Sequence, residues 1–334
     1  MVEKFISINS MIDYFKKIGL KNTVILNNYI KAYKFINDSR YKSIFVTISG
    51  GSDSDIVLDI CYRCDIKNKC QYVYFDTGIE YKATKDHIKY LEEKYGVHIK
   101  VVKSRKPIPT CCKEYGQPFI SKHVSEMISR LQRHGFMWEN DSFENLYKKY
   151  PKCKIALQWW CNANPEINGH KSRFNIEYNK ILKEFILENK PWFKISNLCC
   201  KYGKKLIVKM MLQTEHYDLN VFGVRKSEGG VRAAAYKSCF EEGWDNDTYL
   251  PIFWYSDYDK GYYELLFDIK HSDCYTKYKL KRTGCAGCPY CLNLEEELKA
   301  IKGNEPKLYK AVSSIFKDSY KYTNMYREYV RRNA

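Results

Sequence analysis

Three groups of residues in this chain have types and spacings that can do chemistry. The first is Ser49-Gly50-Gly51-Ser52-Asp53-Ser54, which joins an apolar β-branched run, Ile44 to Ile48, to apolar residues at helical spacing, Ile56, Val57 and Ile60. A strand, a glycine turn and a helix aim several backbone N–H groups at one spot, backed by the positive end of the helix dipole. That is an anion site suited to phosphate. Gly50 and Gly51 supply positive φ and room for an oxygen beside the backbone, and the Ser49, Ser52 and Ser54 hydroxyls add donors. No Walker lysine is present, so this is not the GxxxxGK[ST] loop. An ordinary Gly-Gly turn capped by Asp53 is the competing reading. The second group, Gly223-Val224-Arg225-Lys226-Ser227-Glu228-Gly229-Gly230-Val231-Arg232, puts two guanidinium groups, Arg225 and Arg232, at the end of an expected strand. They suit bidentate contact with phosphate or sulfate, with Glu228 fixing one arginine or reaching a ribose hydroxyl. A surface salt-bridge cluster would have the same composition. The third group is Cys199-Cys200 with Cys285-x-x-Cys288, four soft ligands for a [4Fe–4S] cluster or a structural zinc, or simply free thiols. Adjacent cysteines strain to share one small tetrahedral ion, whereas a cubane offers each sulfur its own iron. Cys291 extends the pattern and can compete as a ligand.

These groups need elements to hold them. Residues 1 to about 40 read as two or three helices, with Phe5, Ile8, Met11, Ile12 and Phe15 at helical spacing. After the loop helix, which runs to about Cys64, strands are expected at Gln71–Phe75 and His98–Val102, flanking a helix from Ala83 to Tyr95 that Gly96 stops. Asp76-Thr77-Gly78 with Glu80 follows the second strand, where it reads either as a helix cap and turn or as part of a site. Strands alternating with helices give a parallel sheet covered on both faces, with ligands at the carboxyl ends of the strands. From Lys106 to about 169 the pattern turns irregular and reads as an insertion, holding one clear helix over 121–134. Trp138, Trp159 and Trp160 there can stack bases or pack a core, and tryptophans more often pack. Helices are expected over 173–189, from Asn197 through Met211, near 259–267, and at 294–301 and 307–331. A strand is expected at Leu219–Val224 and an extended segment at 249–254.

Composition narrows the function classes. With 56 Lys and Arg against 39 Asp and Glu, the formal net charge is +17, which favours polyanionic partners, or else reflects a lysine-rich surface. No apolar run is long enough to span a membrane, and the amphipathic N-terminus does not look like a signal peptide. The 14 cysteines are then expected as thiols or metal ligands in a cytoplasmic protein.

Ser49 to Ser54 resembles the SGGxDS pyrophosphate loop of the PP-loop ATP pyrophosphatases and their phosphoadenosine-phosphosulfate (PAPS) reductase relatives. Asp76-Thr77-Gly78 with Glu80 is similar to that family's (D/N)TG segment beside the adenine nucleotide. Gly223 to Arg232 resembles its GxRxxES-xx-R motif, with Gly229 where Ser is usual. The order Cys-Cys, GxRxxE, CxxC resembles the iron–sulfur branch and the DNA-phosphorothioation enzymes similar to it. The resemblance runs from about Ile44 to Tyr290, outside the insertion. It implies an α/β, doubly wound, mostly parallel sheet of the adenine nucleotide alpha hydrolase-like type. The expected divisions are N-terminal helices (1–40), a nucleotide-binding domain (41–105 and 170–255), a helical insertion (106–169) and a Cys-containing helical region (256–334). It also implies ATP or a related adenine nucleotide held by Ser49 to Ser54, Asp76, Thr77, Gly78, Glu80, Gly223, Arg225, Glu228 and Arg232. Cys199, Cys200, Cys285 and Cys288 would ligate a [4Fe–4S] cluster, with Zn²⁺ as the alternative.

Two departures bear on the reaction. Sulfonucleotide reductases carry a catalytic cysteine in a C-terminal tail, and residues 292–334 hold none. Their loop is usually altered from SGGxDS, whereas this chain keeps Gly-Gly and Asp-Ser. The expectation is therefore an enzyme that cleaves ATP at the α–β bond to activate an acceptor for sulfur transfer to tRNA or DNA. It would take Mg²⁺ at Asp53, use Arg225 and Arg232 against developing phosphate charge, and draw on a sulfur-donor protein. One alternative is a divergent sulfonucleotide reductase using Cys111 or Cys239. Another is a non-catalytic nucleotide- and nucleic-acid-binding module. Ser52 stands where many relatives have lysine, which leaves the arginines to meet the phosphate charge.

Overall fold

A computed structural model describes residues 2–166 and 168–333, without the side chains of Val231 and Arg232. Chain contacts divide it into two compact units. The first comprises residues 1–76, 80–104 and 206–285; the second comprises 77–79, 105–205 and 286–334.

The first unit is built on one sheet of β1 (Ile44–Ile48), β2 (Cys70–Asp76), β3 (Ile99–Lys103), β4 (Leu219–Val221), β5 (Phe240–Glu241) and β6 (Asp247–Tyr249). Their order is β3-β2-β1-β4-β6-β5, and every neighbouring pair is parallel except β5 with β6. Side chains alternate across the sheet. Ile44, Val46 and Ile48 face a core shared with Tyr29 and Ile36 of helix Thr23–Asn37 and Ile56 and Ile60 of helix Ser52–Cys64. Phe45 points the other way, into a cluster with Val73, Met211 of helix Leu206–Thr214, and Tyr217. Helices therefore cover both faces, as a parallel sheet requires and as the alternating pattern predicts. Chain order reverses on either side of β1: β2 lies to one side and β4 to the other. The carboxyl end of β1 is thus a topological switch point.

Both N-terminal helices form, at Ile8–Lys17 and Thr23–Asn37, capped by Ser7 and Asn22. Helix Lys82–Tyr95 ends at Gly96, whose φ of +62° closes it in the left-handed conformation. Beneath the sheet, the fully buried Asp59 carboxylate accepts from Arg63 Nε at 2.8 Å, Tyr263 OH at 2.5 Å and Tyr95 OH at 2.9 Å, so its charge is met.

The second unit packs Trp159, Trp160, Phe119, Phe185 and Tyr322 into its own core. Trp138, Trp159 and Trp160 are all buried there, and Trp160 Nε1 donates to the Glu139 carbonyl at 2.8 Å, so these rings pack and offer no face to a base. Helix Lys122–Arg133 forms as expected behind its cap, Ser121. Three segments differ from their sequence pattern. Residues 173–181 are not α-helical, and only Leu182–Glu188 is. Asn175 Oδ1 takes the Asn164 N–H at 3.1 Å, and Ile181 has a φ of +44°, so local side-chain bonding outcompetes the helix. The extended segment at 249–254 ends at Tyr249, because Pro251 lacks the N–H a ladder needs and Phe253 N–H turns back to the Leu250 carbonyl. The last helix divides at Phe316 into Pro306–Ile315 and Lys317–Asn333, a break that lets Ser319 N–H reach Gln117 Oε1 at 2.9 Å.

Candidate nucleotide site

The Ser49–Ser54 loop leaves the carboxyl end of β1 and enters helix Ser52–Cys64 with Gly51 as its N-cap. Gly50 has a φ of +67°, and a Cβ there would meet Thr84 Cγ2 at 2.7 Å. Ser54 knits the loop internally: its hydroxyl accepts from Ser49 N–H at 3.2 Å and Gly51 N–H at 3.1 Å and donates to the Gly51 carbonyl at 2.7 Å. The Ser52 N–H donates to Tyr275 OH at 3.2 Å. Among the described residues the N–H groups of Gly50 and Asp53 take no partner, which leaves two donors at a helix N-terminus for an anion.

Cations converge on the same turn. Lys260, from helix Asp257–Leu266, places its ammonium 2.8 Å from Asp53 Oδ1 and 2.5 Å from Ser52 Oγ. Arg225, four residues past β4, sets its Nε 3.2 Å from both Asp53 oxygens, its Nη1 2.7 Å from Asp257 Oδ1, and its Nη2 4.0 Å from Glu228. Gly223 makes this approach possible, since a Cβ there would meet the Asp53 backbone at 3.3 Å. Burial pushes the Asp53 carboxyl up, but Lys260 and then Arg225 outweigh it and hold the group below its ordinary range. The line of charge continues inward. Glu264 lies 3.8 Å from Lys260 and 2.9 Å from His271 Nε2; His271 Nδ1 is 2.8 Å from Asp55, and Asp55 is 3.0 Å from His87. Burial pushes the His271 imidazole down, yet Asp55 and Glu264 overcome it and raise its pKa to about 9.

Other expected site residues are placed as follows. Asp76 ends β2 and pairs with Lys85 at 2.9 Å, and Glu80 follows in the same unit. Thr77 and Gly78 belong to the second unit, where Thr77 O accepts from Ile108 N–H and a Cβ on Gly78 would meet Pro107 at 2.9 Å. Arg232 sits in the short helix Gly230–Ala234, and its side chain lies outside the described residues. Cys199, Cys200 and Cys288 fall in the second unit, and Cys285 is the last residue of the first. A fourth thiol, Cys112, is hydrogen-bonded to Cys199 and pushes its pKa up; the Cys199 bond and burial do the same to Cys200. Tyr290 feels Cys199, Cys200 and Cys288, and Tyr320 feels Cys288 and Cys112, so these four sulfurs share one neighbourhood. Among the described residues no three His, Cys, Asp or Glu side chains are arranged to hold a metal.

Residues 43–148 match the family model of the phosphoadenosine phosphosulfate reductase domain. No curated protein matches its sequence. Among solved structures, the chain is similar to the PAPS reductase of Candida auris in its phosphate complex, at 10% identity and a TM-score of 0.40, covering 85% of this chain and 97% of that one. It is also similar to the NH3-dependent NAD synthetase of Campylobacter jejuni, at 13% identity and a TM-score of 0.37, over 89% and 92% of the two chains. A third is the U34-tRNA thiolase NcsA of Methanococcus maripaludis with its [4Fe-4S] cluster, at 14% identity and a TM-score of 0.38, over 90% and 78%. No described helix of this chain is long and apolar enough to cross a membrane.

Sequence reasoning missed Lys260. It lies 208 residues from Ser52 in an unremarkable Asp-Tyr-Asp-Lys stretch. The one available signal was negative, a loop with serine where relatives carry lysine. Besides the expected Arg225, which pairs with Asp53 and Asp257, the structure brings the Lys260 ammonium to the loop. Cys112 was missed because its partner Cys199 is remote in sequence.

Proposed function

We propose that this chain binds ATP at Ser49–Ser54 and cleaves it between the α- and β-phosphates to activate an acceptor, with sulfur then transferred to a nucleic acid. The observation that carries the reading is the pair of unpartnered N–H groups, of Gly50 and Asp53, beside the Lys260 ammonium at a β1 switch point. The N–H groups would hold the outer phosphates. Lys260, now neutralising Asp53, would move its charge onto them, while Arg225 stays on Asp53 and Asp257 and fixes the carboxylate. An acceptor oxygen attacks the α-phosphorus, the α–β bridging bond breaks, and pyrophosphate carries away the electron pair. A sulfur nucleophile then displaces AMP. The Asp53 carboxylate and Ser52 hydroxyl are hard oxygen donors that suit Mg²⁺, which would add positive charge at the phosphates. The soft thiols of Cys199, Cys200, Cys285 and Cys288 suit a [4Fe–4S] cluster, which would supply a site for sulfur or electrons, or a zinc ion, which would hold thiolates without redox chemistry. The test is pyrophosphate release from Mg-ATP by anaerobically purified protein with tRNA or DNA. Release that depends on acceptor and vanishes in Asp53→Ala supports the reading; no release with either acceptor overturns it.

The match to the PAPS reductase domain favours a second reading, sulfonucleotide reduction. Its candidate nucleophiles are poorly placed for it. Cys111 is fully buried, burial raises its pKa, and its thiol donates to the Lys106 carbonyl at 3.3 Å; Cys239 is packed with Val224, Leu250 and Phe253. Sulfite release from PAPS or APS with thioredoxin would decide for this reading.

A further inference from the structure

We infer that the second unit binds the phosphodiester backbone of a nucleic acid in a basic cleft between helix Lys122–Arg133 and the turn Lys201–Lys205. The inference names the acceptor's binding site and rests on the proposed function for its purpose, but not for its geometry. The cleft has a volume of about 540 Å³. Lys122, Arg130 and Arg133 line one side from a single helix; Lys152 approaches from the turn Pro151–Cys153, and Lys201 and Lys205 come from the π-helical turn that follows Cys200.

Among the described residues lining the cleft, only one carboxylate answers these six cations. Glu126 lines the cleft and pairs with Arg130 at 2.6 Å. Among the described residues Lys122, Arg133, Lys152, Lys201 and Lys205 form no ion pair, although carboxylates elsewhere on this unit are taken up by lysines such as Lys149 and Lys171. A concave surface that gathers cations and leaves them unneutralised stores repulsion that a polyanion relieves.

The shape of the charge selects a polymer. Lys122 and Arg133 are eleven residues apart on one helix, or roughly 16 Å, which is the rise of about five stacked nucleotides. A single nucleotide or free phosphate would meet only part of that row. A flat lipid surface would not reach cations set along a concave wall. Cys200 lines the same cleft, so a strand lying in it passes against a thiol of the Cys-Cys pair.

The experiment uses the full-length protein and fluorescein-labelled 20-nucleotide RNA and single-stranded DNA, read by anisotropy at 50 and 200 mM NaCl. ATP binding is measured on the same samples. Five phosphate contacts predict a logarithmic salt slope near −3.5, or about 100-fold weaker binding across that range. The exposed pairs Arg133→Glu/Lys152→Glu and Lys201→Glu/Lys205→Glu should each weaken binding at least tenfold and reduce the slope by about 1.4. The control pair Lys17→Glu/Lys21→Glu, on exposed residues of the first unit, should change neither. Thermal melts confirm folding of each variant. Equal losses in the control pair, or a slope unchanged by both cleft pairs, overturn the inference. ATP binding without any oligonucleotide binding at 50 mM salt overturns it and leaves the ATP site standing. Cleft-dependent binding without ATP binding supports it and sinks the proposed function instead.

Discussion

Lys260→Ala is the most informative single change. The substitution removes an ammonium 2.8 Å from Asp53 and 2.5 Å from Ser52 Oγ, in an ion pair whose side chains are only 17% and 16% exposed. Charge-assisted contacts of this kind are worth about 1.5–3 kcal/mol each. If the ammonium passes to the nucleotide phosphates with similar geometry, its loss weakens ATP by roughly 10- to 100-fold, since about 1.4 kcal/mol is a factor of ten. Asp53 keeps Arg225, so the fold should survive, and its carboxyl should titrate higher than in the wild type. Isothermal calorimetry of Mg-ATP binding reads the effect, with melting temperature as the folding control. The rescue is specific: Ser52→Lys in the Lys260→Ala background puts an ammonium back at the loop and should recover most of the affinity. Wild-type affinity in Lys260→Ala, or no recovery in a folded double variant, would refute the assignment of Lys260 as the loop's cation.

Other predictions follow from burial and charge. His271, ordinarily near 6.5, is raised to about 9 in the fold, so its stabilisation is complete below about pH 6.5 and is lost as pH climbs through 9. That is at most about 3 kcal/mol; urea midpoints should fall across this window in the wild type and stay level in His271→Asn, and parallel curves would refute it. Gly50→Ala must hold a φ of +67° and place a Cβ 2.7 Å from Thr84 Cγ2. It should lose about 1–2 kcal/mol from the backbone alone, read as a lower melting temperature together with weakened ATP binding. Trp160→Ala removes a fully buried ring and its bond to Glu139, at a cost of about 3–5 kcal/mol by urea titration.

The parts of this molecule that were legible in the sequence are those governed by local pattern. Ile44 to Ile48 reads as a strand because every residue is β-branched or aromatic, and Ser49 to Ser54 reads as a turn into a helix because glycine and hydroxyl spacing dictate it. Gly96 and Ser121 mark helix ends through chemistry that acts over one turn. The failures share a cause, since they depend on partners far away in the chain. Residues 173–181 carry helical spacing, yet Asn175 bonds to Asn164 instead. Lys260 and Cys112 acquire their roles only when the fold brings Ser52 and Cys199 to them. Arg225 was legible as a residue at the end of a strand near the loop, but its pairing with Asp53 and Asp257 was not, because Asp257 carries no motif.

The run Asp53, Lys260, Glu264, His271 and Asp55 alternates in sign from the loop into the interior, and this gives the site a thermodynamic signature. An anion that draws the Lys260 ammonium toward itself withdraws positive charge from Glu264 as well as from Asp53. Glu264 then bears more fully on His271, whose proton becomes harder to remove. If the proposed nucleotide binds at this loop, its binding at mildly alkaline pH is coupled to proton uptake at His271, and by reciprocity its affinity falls as pH rises. Binding enthalpies that differ between buffers of unequal ionisation heat would register those protons directly.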